Sequence, residues 1–362
     1  MRYDDVTLHG IEEAVPQPDG SVRLQRVTEN VRARLEPPAQ EKTLLAAGAE
    51  IRFVLLGPQA RLTLSAEGLQ EFQPTARVFF GPLAGRPHVH PIGTEPTTID
   101  LRIGDDQRRA YESIPDDLAA AMPFHPRVVR VVLFRGTFRL HGVEGEVRPP
   151  DAAELPDLTM LSYGTSITHG SAATAFHLTY VAQAAWRLGV DLVNLGVGGA
   201  CLCEPAFGEH IGGRAGWGVA TLALSVNMIA RGFTIEEFTD RATYLVKQVV
   251  RERPSRPVFC ITIYPYFGDW SNVMPDAKAP PEEFRLALEL VVERLRQDGP
   301  GSRIELVPGP SLLTDVGGLC VDMIHPGDHG MLQMGEELAA RMRPAVERLR
   351  ASGVNRRRGG TS

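Results

Sequence analysis

The pattern of apolar and polar positions changes character near the middle of the chain. In the first part, apolar residues stand at every second position over short runs, as at Ile51, Phe53 and Leu55. A period of two indicates strands with one buried face, and many short strands predict an antiparallel sandwich or jelly roll. The turn signals expected between these strands stand at Gly57-Pro58, Gly68, Gly81-Pro82, Gly104-Asp105, Gly136 and Gly142.

A short segment rich in proline and acidic residues, residues 147–156 (VRPPDAAELP), interrupts the pattern. Such composition is typical of a linker. We therefore predict a domain boundary near Pro150, with a β-sandwich accessory domain over residues 1–150 and a second domain over residues 151–350. The arginine- and glycine-rich residues 351–362 are predicted to be a disordered tail.

After the linker, short apolar runs alternate with segments of helical period. The alternation predicts about five parallel strands covered by helices on both faces of the sheet. The expected helices span residues 178–188, 234–251, 281–296 and 330–350, and Thr234 with Glu237 forms the capping box of the second. The expected strands are residues 158–163, 192–195, 219–226, 258–263 and 304–307.

The composition is that of an ordinary soluble protein, with 43% hydrophobic and 23% charged residues among 362. A net charge of −6 argues against a general electrostatic affinity for nucleic acid. No secretion signal is recognised at the start, and no apolar run reaches the roughly 18 residues that predict a membrane span. The four cysteines lack zinc-site spacing. We expect a reduced, cytoplasmic protein.

A candidate nucleophile stands at the end of the first strand of the second domain. In residues 158–170 (LTMLSYGTSITHG) the apolar run breaks at Gly164, and Ser166 follows at the start of a helix. Glycine permits a sharp turn, Thr165 can cap the helix, and free N–H groups at a helix start suit an oxyanion. A plain N-cap serine gives the same local pattern, so further residues are needed.

The ends of other strands supply those residues, and ligands of open parallel sheets bind outside the carboxyl ends of the strands. Gly199 follows the second strand and Asn227 the third, while Asp322 and His325 follow the fifth. An imidazole can take the proton of Ser166, and a carboxylate can hold its other nitrogen. The N–H groups of Ser166 and Gly199 and the amide of Asn227 are the candidate oxyanion hole.

Several alternatives stay open at this stage. Gly198 could replace Gly199 as a donor, and Asp328 with His329 could replace the pair that ends at His325. His169 is interpreted as a structural or pocket-lining residue. The pair Asp322 and His325 could instead cap the last helix.

Four blocks in this order resemble the SGNH, or GDSL-type, hydrolases. They are GTSIT at residues 164–168, Gly199 in VNLGVGGA, Asn227 in SVNM, and Asp322-x-x-His325. The resemblance covers roughly residues 156–350 and implies a three-layer α/β/α, flavodoxin-like domain that uses acyl-serine chemistry without a metal or other cofactor. Thr165 and Met228 stand where many members have aspartate.

Within that family, the chain is similar to a subset that has a YGTSIT-like first block and an N-terminal jelly-roll domain. The subset includes carbohydrate O-acetyl esterases. The loop that follows the fourth strand, residues 264–280, is predicted to overhang the site, with Tyr264, Tyr266 and Trp270 as an aromatic wall for a sugar or an aromatic acyl group. An ordinary loop with a local apolar cluster is the alternative.

Two fates of an acyl-serine define the expected function. If water attacks, the protein is an esterase for a small ester such as an O-acylated sugar or metabolite. If a bound hydroxyl attacks, it is an acyltransferase that uses a thioester or activated ester as co-substrate. A non-catalytic carbohydrate-binding protein is a third possibility. The expected partner is a small-molecule ester or acyl acceptor, with no nucleic acid and no membrane, and the oligomeric state is left open.

Overall fold

The protein is built around two separate sheets, one antiparallel and one parallel. The computed structural model describes residues 1–68, 72–86, 89–271, 274, 276–299 and 303–352. Four short helices accompany the antiparallel sheet: α1 (Glu29–Arg32), α2 (Pro37–Leu44), α3 (Asp105–Glu112) and α4 (Asp116–Ala121). Its strands are β1 (Arg2–Tyr3), β2 (Val6–His9), β3 (Glu13–Pro16), β4 (Val22–Gln25), β5 (Ala47–Gly68), β6 (Thr75–Phe80), β7 (Leu83–Ala84), β8 (His90–Pro91), β9 (Thr97–Arg102), β10 (Val128–Phe134) and β11 (Gly136–Arg148).

Strand β5 is the centre of the antiparallel sheet, which is jelly-roll-like as predicted. It pairs with β2, β9, β10 and β11 along different parts of its 22 residues. Its alternating apolar side chains, such as Ile51, Phe53, Leu62 and Leu64, are fully buried in the core of this region. The apolar residues that recur at every second position in the sequence are therefore those on the inner face of the sheet.

Two predicted turns of this region are wrong. β5 runs without a break through Gly57-Pro58, and β11 runs through Gly142. Register shifts on β11 at Leu140/Gly142 and Gly145/Val147 bend the paired strands, as bulges do, so no chain reversal is needed. At Gly104-Asp105 the strand does end, because β9 stops at Arg102, and Gly104 is the N-cap residue of α3.

The second sheet has five parallel strands in the order β13-β12-β14-β15-β16. Written by position in the chain, this is the 2-1-3-4-5 order of flavodoxin-like folds. The sheet confirms the predicted fold class, and its strands lie at the expected places. They are β12 (Thr159–Gly164), β13 (Asp191–Asn194), β14 (Val219–Ala223), β15 (Val258–Ile261) and β16 (Ile304–Val307).

Helices cover both faces of the parallel sheet. α7, α9 and α10 pack together in one apolar core, and α6 and α11 pack together in another. The predicted capping box of α9, Thr234 with Glu237, is present. The helices are α5 (Ser166–His169), α6 (Tyr180–Leu188), α7 (Pro205–Gly213), α8 (Val226–Ala230), α9 (Ile235–Arg251), α10 (Pro281–Asp298) and α11 (Asp328–Ser352).

The last helix, α11, continues two residues beyond the predicted start of the tail, and residues 353–362 lie outside the described part of the chain. None of the helices among the described residues is long and apolar enough to span a membrane.

Buried polar contacts join the two sheets. The Arg52 guanidinium on β5 donates two hydrogen bonds of 2.7 Å to the Asp191 carboxylate on β13. Arg26, which follows β4, donates to the carbonyl oxygens of Asn194 and Gly196 at 3.1 and 3.0 Å. The antiparallel region therefore holds the loop that follows β13, and this loop carries Gly199.

Candidate active site

Ser166 lies on a tight turn between β12 and α5. β12 ends at Gly164, where a side chain would collide with the Thr168 hydroxyl and approach the Ala223 carbonyl oxygen to 3.0 Å. Glycine therefore lets the backbone pass close to β14 before it turns. The Thr165 side chain caps α5 by accepting a hydrogen bond from the N–H group of Ile167 at 3.4 Å.

A chain of two hydrogen bonds runs from Ser166 through His325 to Asp322. The serine Oγ lies 2.7 Å from His325 Nε2, and His325 Nδ1 lies 2.7 Å from Asp322 Oδ2. The acid and the histidine are three positions apart, and a left-handed backbone at Met323, with φ of 55°, turns the segment between them. Residues 159 positions apart in the sequence thus meet at one edge of the parallel sheet.

The protonation states of Asp322 and His325 follow from the hydrogen bonds that the Asp322 carboxylate accepts. Partial burial favours the neutral form of Asp322, but the N–H groups of His325 and Ile324, each 3.0 Å from Oδ1, together with the His325 ring lower the pKa of the carboxyl below its ordinary value. An ionised carboxylate only accepts hydrogen bonds, so Nδ1 of His325 carries the proton and Nε2 is free to accept that of Ser166.

Two neutral donor groups line the same pocket. The Asn227 amide oxygen accepts the N–H group of Cys201 at 3.2 Å, which leaves the amide nitrogen without a partner among the described residues. Gly198 donates its N–H group to Nδ1 of His169 at 3.4 Å, whereas no acceptor for the Gly199 N–H group is found in the described part of the chain. The geometry favours Gly199 over Gly198 as a donor to substrate.

Backbone strain precedes Asn227. Ser225, between β14 and α8, has φ of 106°, and its buried hydroxyl has no hydrogen-bond partner among the described residues. A non-glycine residue in such a conformation costs on the order of 1–3 kcal/mol, and this cost is tolerated where it positions a functional group. The sequence gives no signal for it, because serine is common at helix starts of any kind.

The alternative residues have other contacts. Burial lowers the pKa of His169 well below its usual value, and nearby cations such as Arg26 lower it further, so the ring is neutral. The Asp328 carboxylate accepts the N–H and hydroxyl groups of Thr174 at 2.8 and 2.5 Å. α11 begins at Asp328, so Asp322 and His325 precede the helix and do not cap it.

Both parts of the chain line a pocket of about 710 Å³ that contains Ser166 and His325. The antiparallel region provides two cations, Lys42 and Arg135, together with apolar side chains. Pocket residues from this region were not predicted, because they lie far from the motifs in sequence and no local pattern marks them. The apolar lining residues are Leu45, Phe72, Phe134, Ala172, Val226, Ala230, Met274 and Ile324.

The predicted aromatic wall is not formed. Tyr264 and Tyr266 are only 5% and 2% exposed and pack in the two cores, while Trp270 is 48% exposed, and none of the three lines the pocket of Ser166. The loop folds back because Arg285 on α10 donates to the Ile263 carbonyl oxygen at 3.1 Å and to Asp269 at 2.7 Å. The aromatic side chains found in the described lining of the pocket are those of Phe72 and Phe134.

The described residues contain no group of three or more histidine, cysteine or acidic side chains arranged to hold a metal ion. A histidine pair, His88-x-His90, stands in a proline-rich segment, but His88 lies outside the described residues. Cys201, Cys203 and Cys260 are buried free thiols.

Comparison with known proteins identifies the parallel domain. Residues 158–343 match the model of the GDSL-like lipase/acylhydrolase family. No curated protein matches the sequence.

Solved structures with the same two-part architecture cover nearly the whole chain. A salicylyl-acyltransferase from a tetracycline biosynthetic pathway is 17% identical with a TM-score of 0.75, covering 97% of this chain and 96% of its own. A family two carbohydrate esterase from Clostridium thermocellum is 14% identical with a TM-score of 0.63, covering 94% and 99%. An acetyl xylan esterase from Butyrivibrio proteoclasticus is 10% identical with a TM-score of 0.60, covering 96% of each chain.

At these sequence identities the structural neighbours show a shared fold only. The family model matches more than half of the chain and therefore shows the family. The family model and the neighbours together support ester hydrolysis or acyl transfer as the general activity. The chain belongs to the GDSL-like lipase/acylhydrolase family.

Proposed function

We propose that the protein is a serine esterase that forms an acyl-Ser166 intermediate and hydrolyses a small ester. The observation that supports this most strongly is the pair of 2.7 Å hydrogen bonds that joins Ser166, His325 and Asp322 at a pocket open to a ligand. A serine hydroxyl is a poor nucleophile until a neutral imidazole removes its proton, and the hydrogen bond to Nε2 has the geometry for that step.

In the first half-reaction, Oγ of Ser166 attacks the ester carbonyl carbon while its proton moves to Nε2 of His325. The imidazolium that forms is stabilised by the ionised Asp322. The carbonyl oxygen becomes an alkoxide, which the N–H groups of Ser166 and Gly199 and the amide nitrogen of Asn227 are proposed to bind. One such donor is typically worth about 2.7–4 kcal/mol of barrier.

The tetrahedral intermediate then collapses. The bond to the leaving alcohol breaks, and His325 returns its proton to the alcohol oxygen. In the second half-reaction water loses a proton to His325 and attacks the acyl-serine carbon, which releases the acid and regenerates Ser166. No step requires a metal or another cofactor.

The substrate class proposed is a small O-acylated sugar or metabolite. A cavity of about 710 Å³ has the size of typical small-molecule sites, which hold their ligand on several sides. The likeness in fold to carbohydrate esterases is consistent with this class.

Acyl transfer to a bound hydroxyl is the second candidate. Apolar side chains from both regions, including Leu45, Phe134 and Met274, surround the pocket and would restrict the access of water to an acyl-serine. The acyl donor would then be a thioester or an activated ester. The salicylyl-acyltransferase among the structural neighbours is consistent with this candidate.

The decisive experiment combines turnover of p-nitrophenyl acetate with intact-mass measurement. We expect an acetyl adduct on Ser166 during turnover and the loss of both adduct and turnover in Ser166→Ala. His325→Ala should lose at least about 10³-fold in rate, because the three residues act as a unit. Ser113→Ala is the matched serine control, because Ser113 is the C-cap residue of α3 and does not line the pocket of Ser166.

Chasing the adduct separates the two candidates. Faster loss of the acyl group in water supports the esterase, and faster loss to an added alcohol with formation of a new ester supports the transferase. Binding of oligosaccharides without any adduct or turnover would instead support the non-catalytic carbohydrate-binding protein.

A further inference from the structure

We infer that the pocket of Ser166 binds esters that carry an anionic group, a carboxylate or a phosphate, and that Arg135 is the residue that recognises it with help from Lys42. The inference rests on the proposed function and adds the substrate class. It follows from three features: the fixed position of the Arg135 guanidinium, the lack of a paired carboxylate for it among the described residues, and the apolar surfaces beside it.

The Arg135 side chain is held in place between two aromatic rings. Its guanidinium carbon lies 4.7 Å from the centroid of the Phe72 ring and 4.7 Å from that of Phe134. One terminal nitrogen, Nη2, donates to the carbonyl oxygens of Ser171 and Ala173 at 3.0 and 2.6 Å. The residue is also locally strained, with φ of 69°. A cation that is fixed this firmly has little entropy to lose when it binds a ligand.

Part of the guanidinium is not used by the protein. In the part of the chain that the structure describes, Nε of Arg135 is buried without a hydrogen-bond partner, and the other terminal nitrogen, Nη1, also has none. Because Nη2 already donates to two carbonyl oxygens, the other terminal nitrogen, Nη1, is the donor left for a ligand, to which it can give one charge-assisted hydrogen bond.

No carboxylate in the described part of the chain forms an ion pair with Arg135. Asp328 is close enough to favour the charged form, but its oxygens are occupied by Thr174, and burial still lowers the pKa of Arg135 below its ordinary value. Among the described residues that line the pocket, the acidic one is Asp322. Its carboxylate is hydrogen-bonded to the His325 ring.

Two further cations increase the positive potential at this place. Lys42 lines the pocket and has no ion-pair partner within the described residues. Arg26 is buried behind it and donates only to backbone carbonyl oxygens, those of Asn194, Gly196 and Lys42. Burial without a counter-ion lowers the pKa of Arg26 to about 9, still far above neutrality, so the charge remains. Cations that have no ion-pair partner among the described residues are stabilised by an anion that binds beside them.

The surfaces beside Arg135 define the rest of the ligand. Leu45, Phe72 and Phe134 are apolar and lie in the same pocket wall. The ligand that satisfies both features has an apolar body and one anionic group within reach of the ester bond. An uncharged acetylated sugar would leave the cations unpaired.

The test compares matched esters that differ only in an anionic group. Mono-4-nitrophenyl adipate against 4-nitrophenyl hexanoate places the charge in the acyl part, and 4-acetoxybenzoate against phenyl acetate places it in the alcohol part. The measured quantity is the ratio of kcat/KM for the anionic ester to that for its neutral partner. We expect this ratio to exceed one for at least one pair and to fall at least about 10-fold in Arg135→Gln.

Three controls accompany the measurement. Lys42→Gln should lower the same ratio by a smaller factor, and added salt should lower it in the wild type. Arg61→Gln removes an exposed arginine that pairs with Glu144 on the antiparallel sheet and should leave the ratio unchanged. Calorimetric binding of adipate and benzoate to the wild type and to Arg135→Gln repeats the test without turnover.

The possible failures are distinguishable. If Arg135→Gln lowers kcat/KM for anionic and neutral esters equally, Arg135 only supports the loop of Ser171 and Ala173 and the inference is wrong, while the proposed esterase stands. If no ester is turned over but benzoate or adipate binds and Arg135→Gln abolishes the binding, the anion site stands and the proposed function is wrong.

Discussion

Asn227 is a neutral residue whose contacts leave it suited to bind a developing negative charge. Its amide oxygen is held by the N–H group of Cys201, so the orientation of the amide is set by the protein and not by the ligand. We expect Asn227→Ala to lower kcat by about 10²–10³-fold with little change in KM, because the donor is needed chiefly in the transition state. Steady-state kinetics on p-nitrophenyl acetate measure both constants. A rise in KM with unchanged kcat would assign Asn227 to ground-state binding.

Asp322 sets the tautomer of His325. Partial burial opposes its ionisation, but the N–H groups of His325 and Ile324 and the His325 ring lower its pKa below the ordinary value, so the carboxylate is charged at neutral pH and keeps the proton on Nδ1. We expect Asp322→Asn to lower kcat by about 10²–10⁴-fold at neutral pH, since an amide can hold the ring in the wrong tautomer. Circular dichroism should show an unchanged fold. Retention of more than a third of wild-type kcat would contradict this role.

Glu204 is a buried acid outside the proposed catalytic residues, and the sign of its effect on stability follows from its pKa. One oxygen accepts the N–H group of Glu36 at 2.8 Å, the other has no partner in the described part of the chain, and burial raises the pKa to about 7. Since the folded pKa exceeds the unfolded one, the unfolded chain loses this proton first, and stability falls as pH rises from about 4 to about 7.

Glu204→Gln should remove that loss, because glutamine can still accept the Glu36 N–H group and has no charge to bury. We expect the variant to be more stable than the wild type at pH 8 by on the order of 1–3 kcal/mol, and to be equal to it near pH 4. Urea unfolding at the two pH values is the measurement. A difference that is the same at both values would show that Glu204 is not the titrating group.

At the scale of single residues, the sequence predicts the proposed catalytic residues better than it predicts the residues that line the pocket. Ser166 and Asn227 stand shortly after the ends of β12 and β14, and His325 lies in the longer connection that follows β16. Parallel strands bring their carboxyl ends to one edge of the sheet. Tyr264 also follows a strand, but its side chain is buried in the core against Tyr180, with ring centroids 5.8 Å apart. An aromatic side chain near a site can be buried by packing into the core as well as by lining a pocket. Tertiary contacts determine which of the two occurs, and they are not visible in the sequence.

At the scale of elements, the contact between β5 and β13 is a buried ion pair. Arg52 and Asp191 are each only a few per cent exposed. Burial opposes the ionisation of Asp191, but Arg52 outweighs it and holds the pKa of the carboxyl well below its usual range. We expect Asp191→Asn to destabilise the protein by about 3–5 kcal/mol, because it leaves the Arg52 charge buried with one ionic partner fewer.

Chemical denaturation measures this loss, and the chain offers a matched control. Arg61 and Glu144 pair on the same sheet, with side chains that are 58% and 67% exposed. Glu144→Gln should change the free energy of unfolding by less than about 1 kcal/mol, since water screens an exposed pair. Equal effects of the two substitutions would mean that burial of the Arg52 pair contributes nothing.

The two sheets were not equally predictable from sequence. Strands such as β12 and β14 are buried on both faces and appear as continuous apolar runs, so their positions could be predicted closely. β5 was divided wrongly at Gly57-Pro58, because glycine and proline mark bulges as well as turns. α3 was missed because none of its residues is buried and no apolar face repeats along it.

At the scale of the whole molecule, the pocket belongs to both parts of the chain. Lys42, Phe72 and Arg135 face Ser166 only because the antiparallel region packs against the loops of the parallel domain. Nothing in the sequence around these three residues distinguishes them from other residues of a sheet or helix. The part of the pocket lining that the antiparallel region supplies therefore depends on domain packing, whereas the proposed catalytic residues stand in motifs that can be recognised in the sequence.

The same packing should make the two regions unfold together. Arg26 and Arg52 are buried at the junction, and separation of the regions would leave both guanidinium groups without the acceptors that Asn194, Gly196 and Asp191 provide. All three tryptophans, Trp186, Trp217 and Trp270, lie in the second half of the chain, so their fluorescence reports on the parallel domain alone.

Far-UV circular dichroism reports on both sheets. We expect the urea transitions measured by fluorescence and by circular dichroism to coincide in the wild type, with one midpoint and one slope. In Asp191→Asn the junction is weakened, and we expect the dichroism transition to begin at lower urea than the fluorescence transition. Two separate transitions in the wild type would mean that the buried contacts of Arg26 and Arg52 do not couple the regions, and that each region has its own stability.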